Sequence, residues 1–196
     1  MEAREPDMTF YGYSYADYLT WTMPDMVELI KGRVFRMNAA PKRIHQKISA
    51  IVCNKIYNFL EDKKCEVYDA PFDVRLPVHS KKNEDIFTVV QPDICVICDP
   101  EKLDDAGCIG APDLIIEILS QGNNRKELQN KYEVYEERGV LEYWIISPDG
   151  QTLQVNTLIY GKYKASRLFT SGDIITTSVL PGFSLNLQDV FDHVNT

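Results

Sequence analysis

An acid sits inside what is otherwise an unbroken aliphatic strand. In Leu114-Ile115-Ile116-Glu117-Ile118-Leu119 every residue but Glu117 is aliphatic, a pattern that reads as a strand buried on both faces. A strand of that kind belongs inside a sheet that is covered above and below. An ionised carboxylate in such a place is costly unless a cation or hydrogen-bond donors meet it. Two partners present themselves: a divalent metal shared with Asp93, or the ammonium of Lys131.

The rest of the chain supplies the covering layers. Ile44, Ile48, Ile51, Val52, Ile56, Phe59 and Leu60 recur at three- and four-residue spacing, which predicts an amphipathic helix from about Lys42 to Asp62. A second long helix is expected from about Asn124 to Arg138, stopped by Gly139. Ser14 and Asp17 form a helix start, with the helix running to about Trp21, and Pro24-Asp25 open a further helical turn that carries Glu28. Strands are expected at Arg33 to Met37, Cys65 to Leu76 with a break near Pro71, Phe87 to Cys98, Leu141 to Ser147 and Gln151 to Leu158. Asp149-Gly150 is the hairpin turn between the last two, and Tyr160-Gly161 and Ser171-Gly172-Asp173 mark further turns. Asp99 to Ala111 reads as a loop, and Leu187 to Val194 as a last helical piece. This order predicts an α/β fold with a mixed central β-sheet flanked by helices and a hairpin-rich C-terminal extension. No repeat or linker divides the chain, so residues 1–196 are expected to form one domain.

Strand periodicity decides which side chains converge. Asp113, Ile115, Glu117 and Leu119 share one face of their strand, and Asp93, Cys95 and Ile97 share one face of the strand before it. If the two strands are neighbours, Asp93 and Glu117 meet, and two close carboxylates either raise a pKa or recruit a hard cation such as Mg²⁺ or Mn²⁺. Lys131 lies about two turns into the following helix and can lean back towards the end of the sheet, supported by Glu127 at i, i+4. Glu28, taken alone, reads as an exposed surface acid.

The remaining signals are weaker. Cys95 and Cys98 lie three apart in a strand, point to opposite faces and cannot chelate one ion, so both read as buried apolar cysteines. His45 reads as a capping or surface residue beside Lys42, Arg43 and Lys47, while Tyr132, Tyr135 and Leu128 read as the packed face of a helix. A net charge of −8 weighs against nucleic-acid binding through bulk positive charge, but not against a local basic groove. Five cysteines at irregular spacing make no disulfide framework and fit a reducing cytoplasm. The N-terminus lacks the basic and apolar regions of a secretory signal, and no run is long enough for a membrane span.

Several segments together resemble a known family. Glu28-Leu29-Ile30-Lys31-Gly32-Arg33, Gln91-Pro92-Asp93-Ile94, Pro112 to Ser120, and Lys131 through Tyr135 to Trp144 look like the Uma family of putative restriction endonucleases, within the PD-(D/E)xK nuclease superfamily. The resemblance implies a restriction endonuclease-like core and a Mg²⁺-dependent (or Mn²⁺-dependent) endodeoxyribonuclease acting on DNA. It implies catalytic roles for Glu28, Asp93, Glu117 and Lys131, with Asp93 and Glu117 holding the metal. The superfamily's lysine is expected two residues after the second acid, where this chain has Leu119; the resemblance implies that Lys131 replaces it from the next helix. A homodimer is expected, because cutting both strands requires two sites. The rival reading is a non-catalytic DNA- or protein-binding module on the same fold, and a hydrolase of small phosphoesters is a third.

Overall fold

The computed structural model describes residues 5–22, 26–36, 42–120 and 125–192. Pro24, Asp25, Met37, Asn124 and Val194, all named above, lie outside that set, as does the side chain of Glu127.

Helix α1 (Tyr15–Tyr18) begins with a reciprocal capping box: the Asp17 N–H donates to the Ser14 side chain, and the Ser14 N–H donates to the Asp17 carboxylate. It ends before Trp21. Glu28 lies not in a helical turn but in strand β1 (Val27–Ile30), paired antiparallel with β2 (Arg33–Arg36). The reason is the turn between them: Lys31 and Gly32 both take left-handed φ values, 51° and 76°, which is the backbone of a tight two-residue hairpin. Gly32 is required there twice over, since a Cβ would lie 2.9 Å from the Gly12 backbone.

The long helix α2 (Arg43–Leu60) follows, then β3 (Glu66–Asp69) and β4 (Val74–Arg75), separated by a cis Ala70–Pro71 bond. The strand expected from Phe87 to Cys98 is two strands, β5 (Val89–Val90) and β6 (Ile94–Ile97), in different sheets. They part at Gln91-Pro92, where proline has no N–H to continue a ladder. Asp99 to Ala111 is not a plain loop; it contains the small antiparallel pair β7 (Leu103–Asp104) and β8 (Gly107–Ile109). The aliphatic run is β9 (Leu114–Ile118), buried throughout, and it is followed by α3 (Arg125–Arg138), which stops at Gly139 with φ 85°. The C-terminal part comprises β10 (Glu142–Ser147), β11 (Thr152–Ile159), β12 (Lys162–Ala165), β13 (Phe169–Thr170), β14 (Ile174–Thr176), β15 (Ser184–Asn186) and α4 (Leu187–Asp192).

Among the described residues the strands form a six-stranded sheet in the order β2-β1-β5-β4-β8-β7, and a seven-stranded mixed sheet in the order β12-β11-β10-β9-β6-β3 with β13 on β11. A separate hairpin joins β14 to β15. In the larger sheet β9 and β10 are parallel and linked through α3, while β6 runs antiparallel to β9. One face of this sheet packs Ile94, Val96, Ile116 and Trp144 against Ile48, Val52 and Ile56 of α2, and against Leu185 and Phe191 near the C-terminus. The other packs Cys95, Ile97, Ile115 and Tyr143 against Val134 and Tyr135 of α3, and against Ile30, Val74 and Val90 of the smaller sheet. The expected mixed α/β architecture is therefore present, with two sheets meeting over α3.

The cysteines depart from expectation. Cys95 is buried and free, but Cys98 forms a disulfide with Cys65, across the β3–β6 pair. Cys53, Cys95 and Cys108 are free. A single bridge is no framework, but it removes the support that reduced thiols gave to a cytoplasmic location. No helix among the described residues is long and apolar enough to cross a membrane.

Candidate active site at the seam between the sheets

The four acid and base positions singled out from sequence come from four elements. Glu28 stands on β1 of the smaller sheet, Asp93 just before β6, Glu117 on β9, and Lys131 on α3. Because β6 and β9 pair with Ile94 opposite Ile116, Asp93 and Glu117 stand opposite each other one step further along. Lys131 Nζ lies 2.9 Å from Glu28 Oε1 and 2.9 Å from Glu117 Oε1, so one ammonium bridges the two sheets. Glu28, read as an exposed acid, is 2% exposed, and Lys131 is 4% exposed. Burial of this kind is tolerated only because each charge has its counterpart.

Further donors complete the arrangement. The Tyr135 hydroxyl donates to Glu117 Oε1 at 2.7 Å, and the Gln91 N–H donates to Glu28 Oε1 at 2.9 Å. Asp93 turns towards the other side: its Oδ2 accepts from the Ile118 N–H at 2.6 Å and lies 3.2 Å from His45 Nε2 on α2. Behind Gln91, its Nε2 donates to Asp73 Oδ1 at 2.8 Å.

The electrostatics follow from depth. Burial pushes the Glu117 carboxyl up to about 7; Lys131 pulls it back down, while Asp93 and Glu28 push it further up. Burial disfavours the Lys131 ammonium, but Glu117 and Glu28 outweigh that and hold it well above the ordinary lysine range. Burial likewise opposes charge on His45, yet its contact with Asp93 leaves the imidazole raised. Burial first, then the charge of Glu117, drives the Tyr135 hydroxyl far up, so it keeps the proton it donates to Glu117.

Asp93 Oδ1 and Glu117 Oε2 accept no hydrogen bond from the described residues, and these side chains keep 16% and 10% of their surface. No group of three or more histidine, cysteine or acidic side chains is arranged to hold an ion among the described residues. Two hard carboxylate oxygens suit Mg²⁺ or Mn²⁺, which keep several waters and use substrate oxygens, and do not suit zinc. By donor chemistry the two carboxylates fit such a cation, although Asp93 faces His45 while Glu117 faces Lys131.

His45 and Tyr135 escaped the reading from sequence as members of the site. His45 shares the spacing of Ile48, Val52 and Ile56, which puts it on the buried stripe of α2, and that was the available signal. Tyr135 stands four residues after Lys131 on one helix face, so any partner of the lysine is within its reach.

The fold joins two sheets over one helix, with carboxylates and a lysine at their seam. The family described as "Putative restriction endonuclease" (Uma2) matches residues 15–188, and the chain belongs to it. Among solved structures, the chain is similar to one titled as a putative nuclease belonging to DUF820 from Anabaena variabilis. The TM-score is 0.71 at 19% identity, covering 93% of this chain and 99% of that one, a likeness of fold. No curated protein matches the chain.

Proposed function

We propose that the protein is a divalent-metal-dependent endonuclease that hydrolyses phosphodiester bonds in DNA at the seam between its sheets. The observation that carries this reading is the buried Lys131 ammonium held at 2.9 Å from both Glu28 and Glu117. Asp93 and Glu117 would hold Mg²⁺ or Mn²⁺, which supplies Lewis-acid polarisation of the phosphate. Lys131 stays protonated throughout, so it acts on developing negative charge and not as a base. Glu28 and the Gln91 N–H fix where that ammonium stands, and Tyr135 fixes the Glu117 carboxylate. His45 and the Ile118 N–H hold Asp93 in one orientation. Family membership and the nuclease title of the similar structure support the same class of activity. A homodimer would provide the two sites that double-strand cleavage needs, and a cytoplasmic location remains part of the proposal.

The test is plasmid nicking. Glu117→Gln is expected to abolish Mg²⁺-dependent nicking while the circular dichroism spectrum stays that of the parent; equal cutting by the variant overturns the assigned roles. The rival reading, a binding module without catalysis, draws on the fact that Asp93 Oδ2 and Glu117 Oε1 are already satisfied by protein donors. Calorimetric titration with Mn²⁺ separates the two: binding at millimolar metal supports the enzyme, and no binding supports the module.

A further inference from the structure

Arg33 occupies an unusual setting on the face of the smaller sheet that carries Glu28. Its guanidinium carbon lies 5.3 Å from the centre of the Tyr11 ring and 5.6 Å from that of Phe35, so one cation touches two aromatic rings. Phe35 stands directly opposite Glu28 in the β1–β2 pair, and Arg33 opposite Ile30. Glu28, Ile30, Arg33 and Phe35 therefore share one sheet face, with Arg33 the diagonal neighbour of Glu28 at a typical spacing of about 7–8 Å.

The guanidinium makes no ion pair and donates no side-chain hydrogen bond to any described residue, unlike Arg36, Arg75 and Arg167, which each meet a carboxylate. Arg33 keeps part of its surface and Tyr11 is exposed, so the pair lies at the protein surface. Ring contacts engage the faces of a planar guanidinium and leave its edge, a rigid fork of five N–H donors, matched to a tetrahedral oxyanion. In a chain of net charge −8, a cation beside Glu28 with no carboxylate partner among the described residues suits an incoming anion.

We propose that Arg33, held by Tyr11 and Phe35, is a phosphate-binding residue that seats the nucleic-acid backbone beside the Glu28–Lys131–Glu117 cluster. This rests on the endonuclease reading and names the contact by which an acidic protein takes a polyanion. A partner protein's carboxylate is the competing ligand for the same fork.

The experiment measures binding of a fluorescein-labelled duplex oligonucleotide by anisotropy across a salt series, in EDTA so that nothing is cut. Arg33→Ala is expected to weaken binding about tenfold and to lower the slope of log affinity against log salt by about one, the signature of one lost phosphate contact. Arg33→Lys keeps the charge but not the fork, so it should retain the slope and lose affinity severalfold; Tyr11→Leu should behave in the same way. A role in packing alone would change melting temperature without moving the slope. If the parent binds and Arg33→Ala binds with unchanged affinity and slope, this proposal falls while the endonuclease reading stands. If the parent binds no duplex at any salt, this proposal falls, and Mg²⁺-dependent plasmid nicking decides the endonuclease reading separately. Duplex binding that is displaced by a glutamate-rich peptide but not by inorganic phosphate would assign the fork to a carboxylate and overturn the proposal.

Discussion

At the level of single residues, the site is governed by one ammonium shared between two carboxylates. The sign of its pH dependence can be worked out. Glu117 is raised from 4.5 to about 7 by burial, so the folded chain binds its proton more tightly than the unfolded chain does. Its contribution to stability is full below pH 4.5 and is lost as pH rises through about 7. The raised imidazole of His45 works in the same direction just above the ordinary histidine range, where the unfolded form has already shed its proton. Metal-free protein should therefore become less stable to urea between pH 5 and pH 8, and Glu117→Gln should show a shallower decline. A parent curve that climbs with pH over this range would show that Glu117 is ionised on folding. The presence of a charge partner for Glu117 was legible in the sequence, because an acid amid Ile115, Ile116 and Ile118 needs one. Glu28 was not legible in that way: Val27, Leu29 and Ile30 around it look like a strand only once Lys31-Gly32 is seen as a hairpin turn.

At the level of elements, the periodic segments were the readable ones. α2, β9, α3 and the β10–β11 hairpin announce themselves through apolar spacing, Gly139 and Asp149-Gly150. The misreadings share a cause: pieces of two or three residues, such as β5, β7 and β8, are too short for any period and exist because neighbours offer them a ladder. The Cys65–Cys98 bridge was hidden for a related reason. Its partners become adjacent only through the β3–β6 register, which pairs Glu66 with Ile97. Closing a loop over a separation of 33 residues should contribute about 3–4 kcal/mol in the chain-entropy account. Cys65→Ser with Cys98→Ser is expected to lower the denaturation midpoint accordingly. The double variant should be insensitive to dithiothreitol, whereas the parent should drift towards it as the reductant acts. Equal stability of parent and variant under oxidising conditions would mean that the bridge contributes nothing.

At the level of the whole molecule, two sheets are fastened together at a polar point within an otherwise apolar interface. The larger sheet presents Asp93 and Glu117, the smaller presents Glu28, and α3 spans both. If double-strand cleavage is the activity, sedimentation at working concentration should give twice the mass of 22.5 kDa; a monomer that cuts only one strand per encounter would remove the dimer from the proposal. Lys131 is where the two halves are riveted, and the rivet arrives late. Glu28, Asp93 and Glu117 all precede Lys131 in the chain, so both acids that share the ammonium are laid down before it. A chain cut short ahead of α3 would lose the single charge that ties its two sheets together.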